Sequence, residues 1–211
     1  MKATLASAVA LSAAAGLTAS AFGGTPTFAD AAAATNHSGA DYTAVLAYQY
    51  TGGTHGLLTI NINNQTSNAL GGYMTALVFN IGSADTGATA QLQSTTLPAF
   101  IDAQYVNASP FGSSFRGGAA IGGNWNHAGS TTTGLRPGDN ATFTFLITAS
   151  DASALNDMSF TDGNYDHNFI VRFRKMTGFD SDKVPAMVAV PAPGALALAG
   201  LGGLAAIRRR R

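Results

Sequence analysis

Between Thr161 and Phe169 the chain reads Asp162-Gly163-Asn164-Tyr165-Asp166-His167-Asn168, which sets an oxygen-bearing side chain at every second position. Alternating Asp and Asn are the ligands a hard cation such as calcium takes in a loop. The pattern then departs from a calcium loop: His167 stands where the sharp turn uses glycine, and Phe173 stands where a bidentate Glu closes the shell. Asp162, Asn164 and Asp166 are therefore weak candidate ligands, and a hydrophilic turn before a strand is the better reading. No other cofactor is expected.

A second cluster, Asn124-Trp125-Asn126-His127, lies between glycines and holds the chain's one tryptophan. An exposed indole stacks on a sugar ring while flanking amides bond the ring's hydroxyls, so Asn124, Trp125 and Asn126 are candidate carbohydrate-binding residues. The competing reading is a tryptophan packed over the edge of a core. For catalysis the supply is thin. The histidines His37, His55, His127 and His167 are scattered, the chain has no Glu for an H-E-x-x-H zinc site, and no G-x-S-x-G occurs. Two Asp carboxylates brought together by the fold are the remaining route to an acid and a base. No catalytic residue is assigned, and the protein is expected not to be an enzyme.

The two ends carry a different kind of chemistry. Lys2 supplies a positive start, Ala3 to Leu17 an apolar run, and Ala19-Ser20-Ala21 a small-residue cleavage site with Ala19 and Ala21 at its key positions. Residues 1–21 thus read as a secretory signal peptide. At the other end, Val190-Pro191-Ala192-Pro193-Gly194 leads into an uncharged segment over 194–207 and then Arg208, Arg209, Arg210 and Arg211. A helix over 194–207 would reach about 21 Å at 1.5 Å per residue, against roughly 30 Å of hydrocarbon, which is short for a permanent anchor. The arginines resist translocation and act as a stop-transfer cluster that stays in the cytoplasm. They also argue against a glycolipid anchor signal, which ends apolar.

A Pro-x-Pro motif, a short Gly/Ala/Leu helix and a terminal arginine cluster, in that order, resemble the PEP-CTERM sorting signal of exported bacterial proteins. The resemblance implies an exosortase, a membrane-embedded cysteine transpeptidase, as the reader of residues 190–194, with transient membrane insertion through the helix and delivery to the cell surface or extracellular matrix. Ala192 replaces the usual central Glu, so recognition through a carboxylate is not implied. The segment Phe169 to Ala186, FIVRFRKMTGFDSDKVPA, also resembles the last strand and exit segment of β-sandwich cargo proteins that carry such tails.

Removing Lys2 and Arg208 to Arg211 from the eleven basic residues leaves six against eleven acidic ones, a net charge of −5. Such a surface gives nucleic acid no electrostatic footing. Every acidic residue is Asp, which suits turns and caps, and cysteine is absent, so no disulfide framework holds the fold.

The elements that must position these residues read as short strands. Leu57 to Asn63 alternates, with Leu58, Ile60 and Ile62 on one face, and follows Asp41 to Tyr50 across a glycine turn, as a hairpin would. Further strands are expected at Tyr73 to Ile81, Ala141 to Thr148 and Phe169 to Met176, with weaker ones at Ala88 to Ser94, Ile101 to Val106 and Ala119 to Ile121. Ser150 is placed as the cap of a short helical turn, and 110–134 as mostly loop. No long amphipathic helix intervenes. The expected fold is all-β, a single antiparallel β-sandwich domain over 22–183 followed by the tail 184–211.

The functional expectation is an exported, non-enzymatic surface or matrix protein that uses the Sec machinery and an exosortase. A surface carbohydrate-binding module with extracellular polysaccharide as partner is the alternative, and a polysaccharide-acting enzyme the third.

Overall fold

Alternation of apolar and polar residues makes the central strands, and glycine-rich or Asp-rich turns end them. The computed structural model describes residues 24–126, 130–161 and 168–188. Ten strands follow in order: β1 (Thr25–Ala29), β2 (Tyr42–Gly52), β3 (His55–Asn64), β4 (Gly71–Phe79), β5 (Thr89–Thr95), β6 (Phe100–Asp102), β7 (Gly117–Ile121), β8 (Asn140–Thr148), β9 (Phe169–Met176) and β10 (Phe179–Val188). The helical content among the described residues is three short 3-10 turns, Thr131–Thr133, Ala152–Ala154 and Asp157–Phe160. Asp151 and Asn156 occupy the caps of the last two, not Ser150.

All pairings are antiparallel, and the ladder is continuous in the order β5-β8-β3-β2-β1-β10-β9-β4-β7-β6. Joined through β1 and β10, its two halves curl over one core until the outer strands approach. There Leu92 N donates to Asp102 Oδ1 at 2.6 Å and Arg116 Nη1 donates to Ala88 O at 2.9 Å, so the sheet is nearly closed. Strand edges that meet in this way leave few unpaired backbone groups for other chains.

The core forms where the apolar faces of the strands meet. Leu58, Ile60 and Ile62 of β3, Phe143, Phe145 and Ile147 of β8, and Phe169, Val171 and Phe173 of β9 are all buried in one cluster. Tyr42 on β2 lies 6.1 Å from the Phe169 ring and 6.2 Å from Phe173, and Phe79 on β4 meets Phe145 edge-on at 4.9 Å. Each fully buried side chain of this size contributes about 1.5–3 kcal/mol relative to exposure. Gly117 of β7 sits at a close approach of the halves: a Cβ there would stand 2.6 Å from Ala90 Cβ on β5, and 2.5 Å from the ring of Phe79 on the neighbouring β4.

A second, smaller cluster covers the outer face of β4, β7 and β9. Ala76, Val78, Ala120 and Ile170 point outward and are roofed by Ala103, Ala108, Phe115 and Trp125 from the long connection around β7.

Three expectations change. Thr25–Ala29 forms a strand that pattern reading left out, pairing Thr27 with Ala44 on one side and Val188 on the other. The segment after Met176 is a full strand, so the fold continues past residue 183 to Val188, with Val184 buried opposite Val171. The strand expected over Ile101 to Val106 stops at Asp102, and Val106 makes only an isolated bridge to Phe115 because the chain there turns to roof the outer cluster. No helix among the described residues is long and apolar enough to cross a membrane.

Candidate functional site

Where β4 ends, the chain leaves the sheet and forms one wall of a cleft of about 940 Å³. The loop from Asn80 to Thr86, the loop from Phe111 to Arg116 and the turn around Asn156 to Ser159 line it. Asp residues staple the first of these loops to the turn at Ser150 and Asp151. Asp85 accepts the Ser150 and Gly87 backbone N–H groups, each at 2.7 Å, and Asp151 accepts Ala84 N at 2.8 Å together with the Ser83 hydroxyl. The Ser150 and Gly87 bonds, with help from the Arg116 charge, hold the Asp85 carboxyl below the usual carboxylate range, so it is ionised at neutral pH. On the opposite wall a capping box fixes the turn: Met158 N donates to Asn156 Oδ1 at 2.9 Å, and Asn156 N donates to Ser159 Oγ at 3.1 Å. Gly82 N donates to Ser159 O at 2.6 Å, and a Cβ on Gly82 would lie 3.1 Å from that oxygen. Glycine lets the two walls approach this closely.

The cleft lining contains one carboxylate, Asp85, and one guanidinium, Arg116, among hydroxyls, amides and the apolar groups of Ile81, Phe111 and Met158. Glycoside hydrolysis by paired carboxylates needs a second acid across the site, and the described lining offers none. What the lining does supply is a mixture of hydrogen-bond donors and acceptors around a small apolar patch.

The tryptophan expectation is corrected. Trp125 is 4% exposed and belongs to the outer cluster, where its carbonyl accepts a hydrogen bond from Arg172 Nη1 and its Nε1 has no partner. Burial leaves no free ring face for a sugar, although Asn124 and Asn126 are exposed and Asn126 N bonds Asn124 Oδ1 at 2.9 Å. The large apolar ring gains more from covering Ala76, Val78 and Ile170 than from water. Asp162, Asn164 and Asp166 lie outside the described residues, as do Ala19, Ala21, Val190 to Gly194 and Arg208 to Arg211. Among the described residues no group of three or more His or Asp side chains is placed to hold a metal ion.

Two buried charges on neighbouring strands were not singled out from the sequence. Asp182 on β10 is 1% exposed and accepts from Ser38 Oγ at 2.6 Å, Ser38 N at 2.9 Å, Asn36 N at 2.9 Å, Thr35 Oγ1 at 2.8 Å and Lys183 N at 2.8 Å. Burial pushes its carboxyl up, but the bonds from Ser38, Asn36 and Thr35 together outweigh burial and hold it below the usual range. Arg172 on β9, 9% exposed, sits on the other face beside the register-paired Lys183, and its Nε has no partner among the described residues. Burial, then repulsion from Arg174, pulls its pKa down. Lys183 reaches away to donate to Ser109 O. An inward Asp in a mixed-polarity strand carries no sequence signal of its own, because its partners come from Thr35 to Ser38, far off in the chain.

No protein-family model matches this chain, and a comparison with curated proteins found no match. The fold class rests on the strands themselves: an all-β protein with a nearly closed antiparallel sheet.

Proposed function

We propose that this chain is an exported, non-enzymatic protein of a bacterial cell surface or extracellular matrix, a flattened β-sandwich delivered by an exosortase that reads residues 190–194. One structural observation supports the non-enzymatic reading most. Six of the nine aspartates among the described residues, Asp30, Asp85, Asp102, Asp151, Asp157 and Asp182, accept backbone N–H groups and so serve as staples. Asp85 and Asp182, which such bonds hold below the usual carboxylate range, are poor general acids near neutral pH. The Asp staples also answer a compositional need, since a chain without cysteine must fasten its loops by other means.

The sorting half of the proposal rests on the resemblance of the tail and is tested by mass spectrometry of protein recovered from the surface of the producing cell. Processing predicts a C-terminus close to Pro191 to Gly194 and loss of Arg208 to Arg211. Mature surface protein that still ends in Arg211 overturns it and leaves a simple anchor.

A further inference from the structure

The sequence placed sugar recognition at Trp125, which the fold buries. The cleft at the end of β4 has the properties that Trp125 lacks, and we propose that it binds a neutral oligosaccharide. This inference concerns the folded domain alone and is independent of how the tail is processed.

Three features point to that ligand class. First, each wall is held by bonds within the fold: the 80–86 loop by the Asp85 and Asp151 staples, the 156–159 turn by the Asn156 capping box, and the 111–116 loop by Ala108 N to Gly112 O, Phe115 N to Val106 O and Arg116 Nη1 to Ala88 O, so binding has less loop ordering to offset. Second, hydrogen-bonding capacity is left over. The Asn80, Ser113 and Ser114 side chains make no hydrogen bond with other described residues, and all three line the cleft. An amide and two hydroxyls each both donate and accept, which matches a ligand whose polar groups are mostly hydroxyls. Ser114 is also held at φ 64°, a left-handed conformation unusual for a non-glycine residue, and backbone outliers of this kind cluster at ligand clamps. Third, the charges cancel. Asp85 and Arg116 are opposite in sign and partly spent on Ser150, Gly87 and Ala88, so the cleft attracts neither a polyanion nor a polycation. The partly exposed Phe111 and Met158 supply the apolar contact that the C–H face of a sugar ring takes.

The test uses the full chain in a non-glycosidic detergent, with saturation-transfer NMR and calorimetry against cello-, manno- and galacto-oligosaccharides, oligogalacturonate and chitosan oligosaccharides. At least one neutral series is expected to bind, with affinity unchanged as salt is raised, because screening acts on charge pairs. Asn80→Ala and Ser114→Gly should each weaken that binding by about tenfold, the effect of one hydrogen bond to the ligand. Neither variant should lower the melting temperature: the Asn80 side chain holds no bond with other described residues, and glycine relaxes the positive φ at 114. Failure of all three neutral series to bind overturns the proposal. So does tighter, salt-sensitive binding of oligogalacturonate or chitosan fragments, or neutral binding that survives both substitutions. None of these outcomes touches the mass-spectrometric test of the tail.

Discussion

Asp182 and Arg172 lie on adjacent strands, one register position apart and on opposite faces of the sheet, and the protein treats them in opposite ways. The anion faces inward and is met by five donors, three of them backbone N–H groups. The cation faces outward under the Trp125 roof and sits beside Lys183; among the described residues it bonds one carbonyl and its Nε has no partner. A buried charge stabilises a fold only when its partners outweigh the water it has lost. By that measure Asp182 fastens the segment from Thr35 to Ser38 to β10, and Arg172 is retained at a cost that the packing around it must cover.

The comparison breaks most visibly at the anion. Asp182→Ala should lower unfolding free energy by about 4 kcal/mol, because Ser38 N, Asn36 N and the Thr35 hydroxyl all lose a charged acceptor at once. Chemical denaturation measures this, and a loss under about 1 kcal/mol would show that water replaces the carboxylate. Next in size is the roof over the cation. Trp125→Ala should cost about 3 kcal/mol, the low end for a buried aromatic, since its unpartnered Nε1 is removed and water can reach Arg172. Near-wild-type stability would instead describe a side chain that contributes no packing.

Acid separates the two charges without mutation. The folded Asp182 and Asp85 carboxyls are held below their unfolded values, so their contribution is complete above about pH 4 and is lost as pH falls through the folded pKa values. Melting temperature should therefore drop on acidification below about pH 4, and Asp182→Asn should flatten that slope. Arg172 stays charged throughout and adds nothing to it. Smaller still, Arg172→Met should change stability by no more than about 1 kcal/mol, and in the stabilising direction if the repulsion from Lys183 dominates the lost carbonyl bond. Finally, Tyr42 buries a hydroxyl in the main core with no partner among the described residues, and burial pushes its pKa up. Tyr42→Phe should leave stability unchanged or raise it by about 0.5 kcal/mol.

The strands with a strict period of two were legible. Leu58, Ile60 and Ile62 share a buried face as the alternation predicts, and the strand expected at Phe169 to Met176 forms as β9. What escaped was β1 and β10. Pro26 and Pro185 speak against central strands because they lack the ladder donor, and Asp180, Asp182 and Lys183 break the apolar pattern of β10. Those strands form because their neighbours supply what local propensity does not: Val184 is buried against the core and Asp182 finds its donors across the sheet. The cleft was illegible for a related reason. Its walls come from three stretches, near 80–86, 111–116 and 156–159, none of which carries a motif alone. Trp125 was legible as a residue of consequence, but exposure is decided by the roof over β4 and β9, which composition does not reveal.

The place of β10 also bears on mechanical load. It lies inside the sheet, paired to β1 on one side and to β9 on the other, and the chain continues from its end at Val188 toward the tail. A tether joined beyond that point would draw first on Ala186 to Val188, paired to β1, and then on Phe179 to Pro185, paired to β9 and latched by Asp182. Tension along the strand axis is then shared among many ladder bonds in shear, whereas a strand on a free edge would peel away one bond at a time.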